Sequence, residues 1–204
     1  MKENHTVNMS EPSAAGNGLA YSYRPSLLGA QWQFKLTDDY LEWSTGRRSG
    51  RTPYRDVRRV RMSFKPVSMQ SQRYQTEVWA EGAPKLAIVS SSWKSMFEQE
   101  RLDKPYSTFV TELHRRLVRA AAPVRYEQGT QPLKYWPALV VFVGVALGLC
   151  ALIVRGLQTD VGGGVAFIAG FLILVLWQGG SFLYRNRPGL YLPDALPTAL
   201  LPKG

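Results

Sequence analysis

Arginine supplies the densest chemistry in this chain. Arg47, Arg48, Arg51, Arg55, Arg58, Arg59 and Arg61, with Lys65, set eight positive charges against Asp56 within nineteen residues. A guanidinium is a planar fork that grips a phosphate or carboxylate with two hydrogen bonds, whereas an ammonium is a point charge. The run has two readings. In one it is a surface for anionic lipid headgroups or an acidic partner, each residue near a membrane contributing about 1 kcal/mol. In the other it is a solvated edge hairpin whose charges block edge-to-edge pairing. Nucleic acid is disfavoured, because the nearby aromatics Tyr54 and Phe64 fall at inward-looking positions and build no stacking platform.

Nucleophiles and acid–base groups show no such concentration. With His5 and His114 as the two histidines and Cys150 as the one cysteine, the sequence implies no metal site, no thiolate cluster and no intrachain disulfide. Ser90 and Ser92 have no histidine or carboxylate pattern beside them, and neither Asp38-Asp39 nor Glu98 with Glu100 lies in a catalytic frame. His114, between Leu113 and Arg115, takes a polar helix position and is expected at the surface. There is no phosphate-binding loop and no dinucleotide fingerprint. A non-catalytic protein without a cofactor is the expectation.

Two long uncharged segments decide where such a protein works. Residues 137–154 and 161–184 carry no charge. As helices they reach about 27 Å and about 36 Å, enough to cross a hydrocarbon layer of roughly 30 Å. Residues 155–160 alone separate them, so the helices are expected to form an antiparallel hairpin, spanning 136–154 and 161–184, with both termini on one side. Arg116, Arg119, Arg125 and Lys134 precede the first helix and Arg185 and Arg187 follow the second, while the turn holds Arg155 offset by Asp160. The positive-inside rule then puts the bulk of the chain in the cytoplasm, with Tyr135, Trp136 and Tyr184 at the headgroup layer. Gly144 and Gly148 form a G-x-x-x-G, and Gly162, Ala166 and Gly170 place small residues every four on the other helix. Such faces allow close approach, within the hairpin or to another subunit. Neither span holds an ionisable group, which disfavours transport or proton relay.

The 204 residues carry a formal net charge of +10, and the excess belongs to the soluble part: 21 basic and 13 acidic residues up to Lys134, 4 and 2 after it. Residues 1–20 read as a disordered tail without a signal-peptide apolar core. Order is expected from about residue 27. Trp32, Phe34 and Leu36 alternate with polar neighbours, Thr37-Asp38-Asp39 turns, and Tyr40, Leu41, Glu42 and Trp43 begin a second strand. A loop over 46–50 leads to a short strand at 51–54 that Pro53 assigns to an edge. Val57, Val60, Met62 and Phe64 face inward on the next strand, with Arg59, Arg61 and then Ser63 outward. Residues 66–73 read as a loop, 74–80 and 85–89 as strands. Tyr106, Phe109, Val110, Leu113, Leu117 and Ala120 then recur at three and four, the stripe of one amphipathic helix stopped by Pro123. A polar linker is expected over 123–135.

The expected class is α+β: six or seven antiparallel strands closed by one helix, followed by a transmembrane helical hairpin. Residues 27–122 resemble the bacterial pleckstrin-homology-like domains, on Phe34-Lys35-Leu36-Thr37-Asp38-Asp39-Tyr40-Leu41-Glu42-Trp43, on Pro53-Tyr54-Arg55-Asp56-Val57 leading into Val60, and on the helix from Tyr106 to Leu117. The resemblance implies a PH-like β-barrel or sandwich capped by its C-terminal helix, acting as a docking or scaffolding module at a bacterial inner membrane. One departure limits it: the first hairpin turn is acidic where inositol-lipid binders of the wider superfamily are basic, so that recognition route is not implied.

Residues 185–204 are punctuated by Pro188, Pro193, Pro197 and Pro202, which forbid a long helix. Leu190, Tyr191, Leu192, Leu196, Leu200 and Leu201 are too apolar to stay loose in water, so this cytoplasmic tail is expected to lie on lipid, on its own protein or on a partner. The partners implied are the membrane, its anionic phospholipids, and a protein or a second copy.

Overall fold

The computed structural model describes residues 18–65, 73–95, 98–159 and 162–202. These fall into two compact units: one built from Met1–Glu127 together with Leu190–Gly204, the other from Gln128–Gly189.

In the first unit, four antiparallel strands follow one another as neighbours: β1 (Leu19–Tyr23), β2 (Trp32–Leu36), β3 (Tyr40–Ser44) and β4 (Ser49–Pro53). Tyr21 lies opposite Phe34, Phe34 opposite Trp43, and Leu41 opposite Thr52, so one face is apolar. A 3-10 turn at Tyr54–Asp56 leads to β5 (Val57–Phe64), β6 (Tyr74–Ala80) and β7 (Leu86–Val89). With β10 (Arg125–Gln128) and β11 (Gly189–Leu190) they make a second sheet in the order β11-β10-β5-β6-β7. A small hairpin of β8 (Ser91–Trp93) and β9 (Gln99–Arg101) precedes the helix α1 (Asp103–Arg119). That helix buries Tyr106, Phe109, Val110, Leu113 and Leu117 on one stripe, against Tyr21, Phe34, Leu36, Met62, Val78 and Ile88.

The strands do not close into a barrel: among the described residues no ladder joins the two sheets. Tyrosine hydroxyls bridge the gap. Tyr21 donates to the carbonyl of Val89 at 2.5 Å, and Tyr23 donates to that of Ala87. β7 is the outer strand of its sheet, so these carbonyls, two residues apart on a free edge, have no strand to pair with. Hydroxyls spaced two apart on β1 match that period. Burial pushes both phenols above their ordinary range and keeps them protonated as donors. Tyr21→Phe and Tyr23→Phe, which keep the rings and remove the donors, are each expected to cost about 1–3 kcal/mol in chemical denaturation of the full chain. Variants no less stable than the parent would refute the bridge.

Several expectations are corrected. A strand, β1, already runs over Leu19–Tyr23, ahead of the expected start near residue 27. The 123–135 segment is not a plain linker, because Arg125–Gln128 extends the second sheet beside β5. Arg61 and Ser63 do occupy the face opposite Met62, yet both are buried, and so is His114. The residue 66–72 loop and most of the N-terminal tail lie outside the described residues.

The tail returns to the first unit. Tyr191 donates its N–H to the Tyr126 carbonyl at 3.3 Å, and a 3-10 turn at Thr198–Leu200 buries Leu200 to 2 % exposure in the core. Tyr191, Leu196 and Leu201 pack against the same cluster. The four prolines limit this segment to extended chain and short turns.

The second unit is a helix pair, α2 (Pro132–Gln158) and α3 (Gly162–Arg185), with residues 159–161 between them. Both helices are long and apolar enough to cross a membrane, with mean hydropathies of 2.7 and 1.9, and their apolar windows are not buried. α2 runs past the expected end at 154, so Arg155 sits in its last turn. Half-buried positions mark the seam: Leu139, Phe142, Ala146, Leu149, Ile153 and Gly156 on α2; Val165, Ile168, Ala169, Leu172, Val175 and Gly179 on α3. These recur at three and four, the spacing of one helix stripe. A Cβ at Gly156 would lie 2.6 Å from Val165 Cγ2, and one at Gly179 2.5 Å from Phe142 Cε2, so these glycines allow the close approach. At about 100° per residue, Gly144 lies about 200° around the helix from Phe142. Gly144, Gly148 and Gly170 accordingly face open space, and Ala166 is exposed. Gly144 and Gly148 therefore do not meet Ala166 and Gly170 within the pair, and the side of Gly162 lies outside the described residues.

Candidate binding surface

The arginine run separates into distinct environments as the chain crosses from the first sheet to the second. Arg47 and Arg48 lie in the turn over residues 45–48, closed by the Thr45 N–H donating to the Arg48 carbonyl at 2.8 Å, with Gly46 at φ 80°. Both are exposed. Arg51 stands opposite Glu42 across β3 and β4, with Nε 3.1 Å from Oε1 and its guanidinium 5.2 Å from the Tyr40 ring centroid. Arg55 lies on the 3-10 turn, 4.0 Å from Asp56. Arg58 pairs with Glu81 at 2.8 Å, and that hydrogen bond raises the arginine pKa and lowers the glutamate's. Exposed pairs of this kind contribute little to stability.

Arg59 and Arg61 belong to the outer face of the second sheet. The Arg59 guanidinium stacks 4.0 Å from the Trp79 ring centroid. Arg61 donates from Nε to Glu127 Oε2 at 3.0 Å and lies 5.4 Å from the same ring, while Glu127 also holds Arg125 at 3.1 Å. Lys85 pairs with the buried Glu77 at 2.9 Å. Losing the partner of a buried ion costs far more than losing a surface pair, so Arg61 is a structural cation tying β10 to β5 and not part of a docking surface. Tyr54 and Phe64 are buried, as expected.

The sequences compared with this chain, whether family models, curated proteins or solved structures, include no match. The acidic turn after β2 is tied to α1: Arg116 donates to the Thr37 carbonyl, reaches Asp38 at 3.3 Å, and is held by Glu112 at 2.7 Å. Nearby, the outer faces of β1–β4 and the β8–β9 hairpin bound a cavity of about 570 Å³ whose walls carry Lys35 and Arg51 against Glu42 and Glu100. Ser90 and Ser92 accept backbone N–H groups from Tyr74 and Arg24, each at 3.0 Å. His114 is not brought to either serine. Its Nδ1 is 2.7 Å from the Val110 carbonyl, which can only accept, so Nδ1 carries the proton and Nε2 accepts from the Tyr191 hydroxyl at 2.7 Å. Among the described residues no three His, Cys, Asp or Glu side chains converge as metal ligands, and Cys150 is exposed on α2.

What the arrangement offers chemically is a graded set of cations. Arg61 is consumed by packing, Arg51 and Arg58 by carboxylates, and Arg59 by an indole face. Arg47 and Arg48 remain with exposed guanidiniums. Sequence reasoning grouped all of them because they are close in the chain; it missed Glu127, Trp79 and Glu81 as the groups that claim them, since each comes from a different strand or turn.

Proposed function

We propose that this is a non-catalytic, membrane-anchored binding or scaffold protein of a bacterial inner membrane, whose strand unit is a cytoplasmic PH-like module. One observation carries the reading: a single compact unit contains chain from both before and after two exposed apolar helices. An even number of crossings is the arrangement that keeps those two parts together, and the helix pair supplies it. Lys134, Arg185 and Arg187 at the outer ends of the pair support a cytoplasmic module by the positive-inside rule. Four strands, then three, then a closing helix support the PH-like resemblance; the β8–β9 insertion and the open sheets depart from a closed barrel.

A second reading, a small accessory subunit of a larger inner-membrane complex, is favoured by one feature: Gly144, Gly148 and Gly170 have nothing within 4 Å of where a Cβ would stand, leaving faces suited to another helix. Alkaline carbonate washing tests the anchor, which requires full-length protein to stay with the membrane; release would refute it. Affinity purification in mild detergent with mass spectrometry then separates the readings. Stoichiometric membrane partners favour the subunit, and a monodisperse lone protein favours the self-sufficient module.

A further inference from the structure

Three segments meet at one end of the four-stranded sheet. The β1–β2 loop over residues 24–31 holds Leu28 wholly in solvent, at 103 % exposure. Ala30, at the close of that loop, lies so near Gly46 in the β3–β4 turn that a Cβ on residue 46 would overlap it. The same turn carries Arg47 and Arg48. On the other flank, the Arg24 N–H donates to Ser92 Oγ at 3.0 Å and its carbonyl accepts from the Trp93 N–H at 3.1 Å, which fixes Arg24 beside β8. Arg24, Arg47 and Arg48 have no carboxylate partner among the described residues, in contrast to Arg51, Arg58 and Arg61.

We propose that this end, Leu28 with Arg24, Arg47 and Arg48, seats on the anionic phospholipid surface of the membrane. The proposal rests on the membrane-anchored reading above. An exposed leucine at a loop tip is poorly solvated by water, and unpaired guanidiniums favour phosphate oxygens. An anionic bilayer satisfies both in one layer: the apolar side chain enters the boundary between headgroups and acyl chains, and the forks bind phosphates around it. An acidic protein surface would match the arginines and leave the leucine in a polar setting.

The test uses full-length protein with Cys150→Ser, reconstituted into vesicles of phosphatidylcholine alone or of phosphatidylcholine with phosphatidylglycerol, with a polarity-sensitive dye on Ser26→Cys. Ser26 is exposed in the same loop, and Thr108→Cys on the exposed side of α1 gives the control position. The expected result is a blue shift and loss of iodide quenching at position 26 only with phosphatidylglycerol, reversed by high salt. Leu28→Asp, or Arg47→Glu with Arg48→Glu, abolishes the shift, and the dye at position 108 stays water-like throughout. All these side chains are exposed, so folding is not at stake. Protein that remains integral while position 26 stays water-like on anionic vesicles overturns this proposal alone and leaves an acidic protein as occupant. Protein released by carbonate overturns the anchored reading and this proposal together.

Discussion

A chain ending at Pro188 is expected to lose the trypsin resistance of its strand unit, although the removed residues belong to a proline-punctuated tail. Leu200 is 2 % exposed, and Tyr191, Leu196 and Leu201 pack against the same core. Deleting one buried leucine side chain costs about 2–5 kcal/mol, and a domain has only about 5–15 kcal/mol in all. The point variant Leu200→Asp adds an unpaired buried carboxylate to the lost contacts. Its control is Leu192→Asp, eight residues earlier and 71 % exposed, which is expected to change stability by less than about 0.5 kcal/mol. Proteolysis and thermal denaturation of the full chain in detergent measure both. Equal behaviour of the two variants would show that the tail is not part of the core.

The second large effect is acid sensitivity centred on His114. Burial holds this imidazole neutral and lowers its pKa from 6.5 to about 4, opposed by the Val110 carbonyl, which favours the protonated ring. In the unfolded chain the same group titrates near its ordinary value, so between the two pKa values the unfolded state binds more protons. The contribution of the neutral, buried ring is therefore complete above 6.5 and is lost as pH falls toward 4, a swing of roughly 3 kcal/mol. The groups facing the ring are Tyr191 at Nε2 and Tyr126, whose ring centroid is 5.5 Å away. Both phenols are raised by burial, Tyr126 to about 12, and stay neutral across this window. Protonation forbids Nε2 from accepting the Tyr191 hydroxyl, so the tail contact is the first to weaken. Stability measured from neutral pH down to mildly acidic pH should fall more steeply for the parent than for His114→Gln. Parallel slopes would place the acid sensitivity elsewhere.

How far these features could be read from the sequence depends on whether their cause is local. The helices α2 and α3 are legible because uncharged runs of this length have one stable solution, and α1 because its stripe repeats at three and four. Strands β2, β3, β5 and β6 show their alternation openly, and β7 shows as a compact apolar run. Leu19, Tyr21 and Tyr23 alternate too, but the pattern is short and abuts a polar segment, so β1 was hidden. Arg125-Tyr126-Glu127-Gln128 carries no strand signal, because Glu127 answers a buried arginine from 66 residues earlier. His114 looks exposed on a helical wheel drawn for one sheet; it is buried because Tyr126 and Tyr191 cover a second flank of α1. For the arginine run, the sequence predicts charge density, while exposure is decided by partners far along the chain. Arg47 and Arg48 keep theirs, and Arg61 does not.

The strand unit is interrupted in the chain by the helix pair, and this orders events during biosynthesis. Residues 190–202 leave the ribosome after both helices, so the module that is mostly synthesised first must wait for Leu200 until both helices have been made. If the helix pair spans a membrane as proposed above, a nascent chain whose second helix stalled on its way into lipid would keep Leu200 from its core site and leave the module open to proteases. In the membrane-anchored reading proposed above, completion of the module would report that both helices had been inserted.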